Sequence, residues 1–140
     1  VVSGKIESIT QLSDDLNSKG IRFVKLPVSA PFHCPLMNKA TIQMKRKILE
    51  TEFKDPKVKI VSNVTADPLK DSNEIKKLLI DQIEMPVRWR ESVKNIINLG
   101  VNNFIEIGPG KVLSGLIKRI DRNVKINHIN NLLDIRNWKI

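Results

Sequence analysis

The chain of 140 residues contains no tyrosine, only one cysteine and two histidines, and no long uninterrupted hydrophobic run. Because a membrane-spanning helix needs about 20 consecutive apolar residues, the sequence predicts a protein without a membrane segment. The single cysteine, Cys34, excludes an internal disulfide and fits a reducing compartment. We therefore expect a cytoplasmic protein whose fold depends on an ordinary hydrophobic core.

Aromatic residues are also scarce, at 4% of the chain, whereas lysine and arginine outnumber the acidic residues by 24 to 15. The net charge of +9 would suit a nucleic-acid binder, but such proteins commonly stack bases on aromatic rings. The basic runs 45–47 and 76–77 instead fall on the polar sides of predicted helices. We favour solvated helix faces over a nucleic-acid surface, and an acidic protein partner or a phosphate-bearing substrate also fits the charge.

Strand and helix patterns alternate from the start of the chain. A helix is predicted from Ile6 to Lys19 and ends at Gly20, between a strand end at residues 1–4 and an apolar strand at 21–28. Prolines then predict a loop, and a second helix follows from Met37 to Phe53. Its apolar residues recur every three or four positions and predict a stripe that faces the core: Met37, Ala40, Met44 and Ile48.

The rest of the chain continues the alternation. Strands are predicted at 58–61, 104–107 and 124–129, and helices at about 75–83, 93–97, 112–120 and 132–138. In the helix at 112–120, the apolar spacing predicts a broad buried face: Val112, Leu113, Leu116, Ile117 and Ile120. Because parallel neighbours need crossover connections, this order predicts an α/β fold with partly parallel strands.

The most informative segment is LPVSAPFHCPLM, residues 26–37, where His33 lies in a proline-bounded loop directly after an apolar strand. Loops at the carboxyl ends of strands commonly carry functional residues in α/β folds, and a neutral imidazole exchanges protons near pH 7. A catalytic base and a structural histidine both remain open from position alone. Cys34 is predicted to be structural, because adjacent side chains on an extended segment point apart.

Two other features carry weaker predictions. His33 and His128 have no cysteine or carboxylate at ligand spacing, so no metal site is predicted. The Gly108-Pro109-Gly110-Lys111 turn before a helix resembles a phosphate-binding turn. A tight strand-to-helix connection explains the same glycines, and Pro109 lacks a backbone donor.

Four segments in order resemble the malonyl-CoA:acyl carrier protein transacylase family of fatty acid and polyketide synthesis. The first is LPVSAPFHCPLM; the others are VSNV at 61–64, DQI at 81–83 with PVRW at 86–89, and EIGPGKVL at 106–113. The resemblance implies the C-terminal part of an α/β-hydrolase-like acyltransferase core over residues 29–140. Residues 1–28 would be the end of a small ferredoxin-like subdomain.

The resemblance also implies a site. His33 would act as the catalytic base, with its imidazole oriented by the main-chain carbonyl of Gln82. Phe32, Asn63 and Val112 would contact the substrate, and the Phe32 ring would disfavour branched acyl groups. Coenzyme A and phosphopantetheine thioesters would be substrates, without any further cofactor.

The implied partners are malonyl-CoA and acyl carrier protein. Acyl carrier protein is acidic, so exposed cations beside the two motifs are the predicted docking residues: Arg22, Lys25, Lys111 and Arg119. The family's G-H-S-x-G nucleophile motif, its G-Q-G motif and its malonyl-binding arginine are not found in these 140 residues. We therefore expect a further half of the same enzyme to supply them, with a non-catalytic carrier-binding module as the alternative.

Overall fold

A computed structural model describes residues 1–138. These residues form two compact units, which divide between Val87 and Arg88. The boundary predicted at residues 28/29 lies inside the first unit and stays a prediction. None of the helices within residues 1–138 has the length and apolar character that a membrane span requires.

The first unit begins with helix α1, Ile6–Ser18. It ends as predicted at Gly20, whose φ of 66° is a left-handed conformation that glycine adopts without steric cost. The backbone N–H of Gly20 donates to the Asn17 oxygen and that of Ile21 to the Leu16 oxygen, at 3.0 and 2.9 Å. These bonds satisfy carbonyls that the helix end leaves open.

The strands predicted on either side of α1 are wrong. Residues 1–4 and 21–28 have no regular strand structure, and all of residues 21–28 are exposed. A strand is held by hydrogen bonds to a neighbouring strand, and no strand within residues 1–138 pairs with either segment. The apolar, β-branched residues of this segment, 21–28, therefore have no neighbouring strand within residues 1–138.

A single 3₁₀ turn, Pro35–Met37, leads into helix α2, Asn38–Glu50. The predicted helix is confirmed, although it ends three residues before Phe53. Its apolar stripe is only partly a core face, because Met37, Ala40 and Ile48 are half-buried and Met44 is 48% exposed. Periodicity identifies the apolar side of α2, and α3 is the α-helix that makes the main packing contact with α2 among the described residues.

Two very short strands, β1 at Ile60–Val61 and β2 at Pro68–Leu69, pair antiparallel. β1 is shorter than the strand predicted at 58–61, and β2 is absent from the prediction because two residues beginning with proline carry no strand pattern. Helix α3, Ser72–Asp81, follows. The side chain of Asp71 caps it by accepting from the Glu74 N–H at 2.8 Å.

The second unit contains α4 at Trp89–Asn98, β3 at Asn103–Ile107, α5 at Val112–Ile120, β4 at Lys125–Ile129 and α6 at Leu132–Arg136. β3 and β4 are parallel, in register from Asn103↔Lys125 to Ile107↔Ile129. α5 connects them, so the predicted α/β alternation with parallel strands is confirmed in this unit.

The core of the second unit is formed by Val93, Ile117 and Val124, which are at most 5% exposed. Other apolar side chains pack around these three residues: Trp89, Ile97, Phe104, Ile120 and Ile126. The broad buried face predicted for α5 is wrong at Val112, Leu113 and Leu116, which are 73%, 43% and 36% exposed. Only the side of α5 that faces the parallel strands and α4 is covered.

Candidate active site

Residues 29–34, which we call the histidine loop, hold His33 in an unusual backbone conformation. His33 has a φ of 60°, in the left-handed region, and precedes the 3₁₀ turn that begins at Pro35. Its exposed imidazole reaches across 49 positions of sequence, and Nδ1 lies 2.8 Å from the main-chain oxygen of Gln82. The loop therefore presents the ring to solvent while fixing one of its two nitrogens.

This contact determines how the neutral imidazole carries its proton. A carbonyl oxygen only accepts hydrogen bonds, so Nδ1 of His33 must be the donor. In a neutral imidazole the other nitrogen, Nε2, then has a free lone pair. The geometry thus leaves Nε2 able to take a proton from a neighbouring group.

Gln82 offers its carbonyl because of its place at the end of α3. It is the C-terminal cap of the helix, and its N–H donates to the Leu78 oxygen at 3.0 Å. The last carbonyls of a helix have no intrahelical partner, so this oxygen is open to the imidazole. The site is therefore built where a helix end meets the histidine loop.

Two further hydrogen bonds join the same segments. Asn63 Nδ2 donates to Gln82 Oε1 at 3.1 Å, from the loop between β1 and β2. Asn38 Nδ2, at the start of α2, donates to Glu84 Oε1 at 3.2 Å. His33, Gln82 and Asn63 are thus brought together within the first unit, as three of the residues predicted for the site.

The neighbours of His33 in sequence have different environments. The half-buried thiol of Cys34 donates to the Pro31 oxygen at 3.1 Å, which is a contact inside the loop. The Phe32 ring is 47% exposed. Arg22 and Lys25 are exposed on the irregular segment after α1. Their predicted roles in substrate selection and docking stay predictions.

In the second unit, the carboxylate of Glu106 closes the glycine turn, residues 108–111. We call its hydrogen bonds to the start of α5 the Glu106 clamp. Glu106, on β3, accepts hydrogen bonds from the N–H groups of Leu113 and Ser114 at 3.1 and 2.8 Å and from the Ser114 hydroxyl. Gly108 and Gly110, with φ of 137° and 96°, make the turn between them. A phosphate at this helix end would have to displace Glu106, which argues against the phosphate-binding interpretation of the turn.

The same contacts shift the titration of Glu106. The hydrogen bond from the Ser114 hydroxyl is the main reason that the pKa of Glu106 lies below its ordinary value of 4.5. Partial desolvation opposes this, whereas the N–H groups of Ser114 and Leu113 and the charge of His128 also lower the pKa. His128 is opposite Glu106 in the strand register.

The other predicted residues of the second unit are exposed. Val112 is the first residue of α5, Lys111 is its N-terminal cap and Arg119 lies in its last turn. Neither the Glu106 clamp nor the hydrogen bond between Asn38 and Glu84 was predicted from the sequence. For Glu106 one signal was available: Lys111 cannot accept from the first N–H groups of α5, so an acceptor from elsewhere was needed.

The basic runs lie on helix surface, where residues 45–47 and Lys77 are exposed and Lys76 is half-buried. Arg46 and Lys47 pair with Glu50 at 2.8 and 3.6 Å, and the ammonium of Lys76 is 5.2 Å from the centre of the Phe53 ring. Across residues 1–138, no group of three or more histidine, cysteine, aspartate or glutamate side chains could hold a metal ion.

Comparisons with known proteins give a consistent result. The chain is 42% identical over 139 residues to the malonyl CoA-acyl carrier protein transacylase of Staphylococcus aureus, covering 99% of this chain and 45% of that protein. It matches the crystal structure of an acyl-carrier-protein-S-malonyltransferase from Bartonella henselae with a TM-score of 0.87 and 38% identity. That match covers 95% of this chain and 43% of the other.

A third similar structure is a malonyl-transacylase in complex with its type II PKS acyl-carrier protein, with a TM-score of 0.86 and 33% identity. It covers 95% of this chain and 43% of that one. No protein-family model matches the chain. The chain spans a little under half the length of these relatives and corresponds to their C-terminal half.

Proposed function

Since the chain belongs to the malonyl CoA-acyl carrier protein transacylase family, we propose that it takes part in malonyl transfer from malonyl-CoA to acyl carrier protein, in bacterial fatty acid synthesis. One observation carries the proposal: Nδ1 of His33 donates to the Gln82 carbonyl, so Nε2 is available as a proton acceptor. His33 is the catalytic base, and the carbonyl of Gln82 orients it.

The first half of the reaction loads the enzyme. Nε2 of His33 removes the proton of a serine hydroxyl as the serine oxygen attacks the thioester carbonyl of malonyl-CoA. The tetrahedral intermediate collapses with cleavage of the C–S bond. The departing coenzyme A thiolate takes the proton back from Nε2, which leaves a malonyl-serine ester and a neutral imidazole.

The second half runs the same chemistry towards the carrier. Nε2 removes the proton of the phosphopantetheine thiol, and the sulfur attacks the malonyl-serine ester. The serine oxygen leaves and recovers the proton from His33. The Gln82 carbonyl accepts from Nδ1–H throughout and stabilises the imidazolium that forms in each half.

Of the groups in this scheme, the described residues supply the base, His33, and the Gln82 carbonyl that orients it. The serine nucleophile, the donors of the oxyanion hole and the arginine for the malonyl carboxylate belong, in this proposal, to polypeptide outside the 140 residues. The G-H-S-x-G pattern is not present in the sequence. The hydroxyl groups of Ser29 and Ser62 do not lie on a strand-to-helix elbow of the kind that exposes a catalytic serine.

Exposed residues would select the acyl group and dock the carrier protein. Phe32, exposed beside His33, would crowd a branched acyl chain, an effect worth about 1–3 kcal/mol per methyl group. Val112 is a further candidate for substrate contact. Exposed cations would steer the acidic carrier protein to the site: Arg22, Lys25, Lys111 and Arg119. The proposed location is the cytoplasm.

A covalent-trapping experiment separates this function from a non-catalytic carrier-binding module. The full-length protein that contains residues 1–140 is incubated with radiolabelled malonyl-CoA and analysed by intact-mass spectrometry. We expect one malonyl adduct, which disappears when phosphopantetheinylated carrier protein is added and reappears on that protein. Carrier binding without any adduct would identify the non-catalytic module instead.

A further inference from the structure

Asn63 is connected to His33 through Gln82. Its Nδ2 donates to Oε1 of Gln82 at 3.1 Å, and both residues are half-buried. The main-chain oxygen of the same Gln82 accepts from Nδ1 of His33 at 2.8 Å. Two hydrogen bonds therefore link the three residues in a chain, which we call the relay. The Asn63 amide holds Gln82, and Gln82 orients the imidazole.

The loop that carries Asn63 is held by several hydrogen bonds. The Ser62 hydroxyl accepts from the N–H groups of Val64 and Thr65 at 3.1 and 3.4 Å, and the Ser62 N–H donates to the Asp67 oxygen at 3.0 Å. Ala66 donates to the Ser62 oxygen at 2.9 Å, is fully buried and has a φ of 66°. Asn63 thus projects from a well-defined turn between β1 and β2.

Gln82, by contrast, lies at the end of α3, where helices fray and carbonyl directions vary. Its N–H is held by the Leu78 oxygen at 3.0 Å, but its own carbonyl has no partner within the helix. A second attachment through the side chain restricts rotation of the whole residue. A contact from the hydrogen-bonded hairpin loop to Gln82 Oε1 would therefore restrain the oxygen that faces His33.

We propose that Asn63 is a positioning residue for His33, acting through the side chain of Gln82, and that it does not bind substrate. The family resemblance implies a substrate contact for Asn63 instead. The proposal rests on the proposed function only in assigning the base role to His33; the link between Asn63 and the His33 tautomer stands by itself.

Two substitutions in the full-length protein break the relay from opposite sides. Asn63→Ala removes the donor. Gln82→Met removes the side-chain acceptor but keeps the main-chain carbonyl, and it provides the test if the hairpin loop does not tolerate alanine. Gln82→Glu keeps an oxygen acceptor and should lie closer to wild type than Gln82→Met.

Asn127→Ala is the matched control. Asn127 is also half-buried and makes the same kind of bond, Nδ2 to Oδ1 of Asn103 at 3.0 Å. It lies in the second unit, on β4, and its hydrogen bond joins β4 to β3. This variant should match wild type in every site measurement.

The first measurement is the tautomer of His33, read from the ¹⁵N shifts of its ring nitrogens at mildly basic pH. We expect the Nδ1–H form in wild type, and a larger Nε2–H fraction in Asn63→Ala and Gln82→Met. The second is steady-state malonyl transfer, where both variants should lose about tenfold or more in kcat, the scale of a misplaced catalytic group. KM for malonyl-CoA should change by less than about twofold, since binding contacts are untouched.

The outcomes separate the two proposals. An unchanged His33 tautomer in Asn63→Ala and Gln82→Met overturns the positioning role. A raised KM with unaltered kcat in Asn63→Ala also overturns it and restores the substrate contact. If wild type shows no transfer activity but the tautomer responds as expected, the positioning role stands and the proposed function fails.

Discussion

The carboxylate of Glu106 on β3 binds the first turn of α5 through Ser114, accepting from both its backbone N–H and its hydroxyl. A negative side chain at a helix N-terminus is favourable because it meets open N–H groups and the positive end of the helix dipole. One residue thereby joins a strand, the glycine turn and the following helix.

Replacement of Glu106 by glutamine should destabilise the second unit at neutral pH. Glutamine has one acceptor oxygen where the carboxylate has two, so an N–H group of Leu113 or Ser114 loses its partner. Urea unfolding at pH 7 is the measurement, and Glu91→Gln, an exposed acid in the first turn of α4, is the control. Equal unfolding midpoints for the two variants would contradict the clamp.

The Glu106 clamp should also depend on pH with a defined sign. Because the pKa of Glu106 is lowered in the folded state from an ordinary value of 4.5, its ionised form adds stability above that value. This contribution is lost as the pH falls through the lowered pKa. The gap between wild type and Glu106→Gln should therefore shrink between neutral pH and about pH 3.

Truncation of Val93 tests the core of the second unit. Val93 is 1% exposed among Ile117 and Val124, so Val93→Ala should lower the free energy of unfolding by about 2 kcal/mol through lost burial and an unfilled cavity. Val112→Ala removes the same atoms from a side chain that is 73% exposed. Its effect on denaturant unfolding should stay within about 0.5 kcal/mol.

His33→Ala in the full-length protein should lose about 100-fold or more in malonyl transfer, the usual contribution of a general base. Cys34→Ala should stay near wild type, since its thiol donates to the Pro31 oxygen within the loop. Steady-state transfer to acyl carrier protein decides both. A His33→Ala enzyme that keeps more than about a tenth of the activity would refute the base assignment.

Charge reversal tests docking. Substituting glutamate for Arg22, Lys25, Lys111 or Arg119 should slow association with the acidic carrier protein and weaken its dependence on salt. Stopped-flow association at several ionic strengths gives both quantities. Reversal of Arg46, which is paired with Glu50 on α2, provides a comparison at another basic position. Unchanged association at low ionic strength would show that these four residues do not take part in docking.

The 140-residue chain alone should form no covalent malonyl adduct. Thioester exchange requires a nucleophile, donors for the oxyanion and a base, and the proposal assigns only the base to this chain. Intact-mass spectrometry after incubation with malonyl-CoA is the test. A stable adduct on any of its residues would show that the chain contains a nucleophile of its own.

Local patterns were sufficient to predict the second unit. The strands at 103–107 and 125–129 and the helix between them each extend over five or more residues, which is long enough for periodicity to identify them. Burial was less predictable. Leu116 and Ile117 are adjacent and equally apolar, yet only Ile117 is buried, because the sequence does not say what covers each side of a helix.

The site was predictable only in part. The position of His33 in a loop suggested chemistry but left a structural role open, and no spacing rule connects it with Gln82, 49 residues later. That pairing came from resemblance to a family. The contact between Asn63 and Gln82 depends on a hairpin with two-residue strands, which is too short to leave a pattern in the sequence.

His33 has a left-handed backbone, with a φ of 60°. At this position the residue that is best for stability differs from the residue that the proposed chemistry needs. A residue with a Cβ atom incurs about 1–2 kcal/mol in this conformation, whereas glycine adopts it freely. The imidazole is nevertheless what gives the loop its proposed chemistry. A screen of variants of this protein for thermal stability alone would thus enrich glycine or asparagine at residue 33, and the proposed base would be lost.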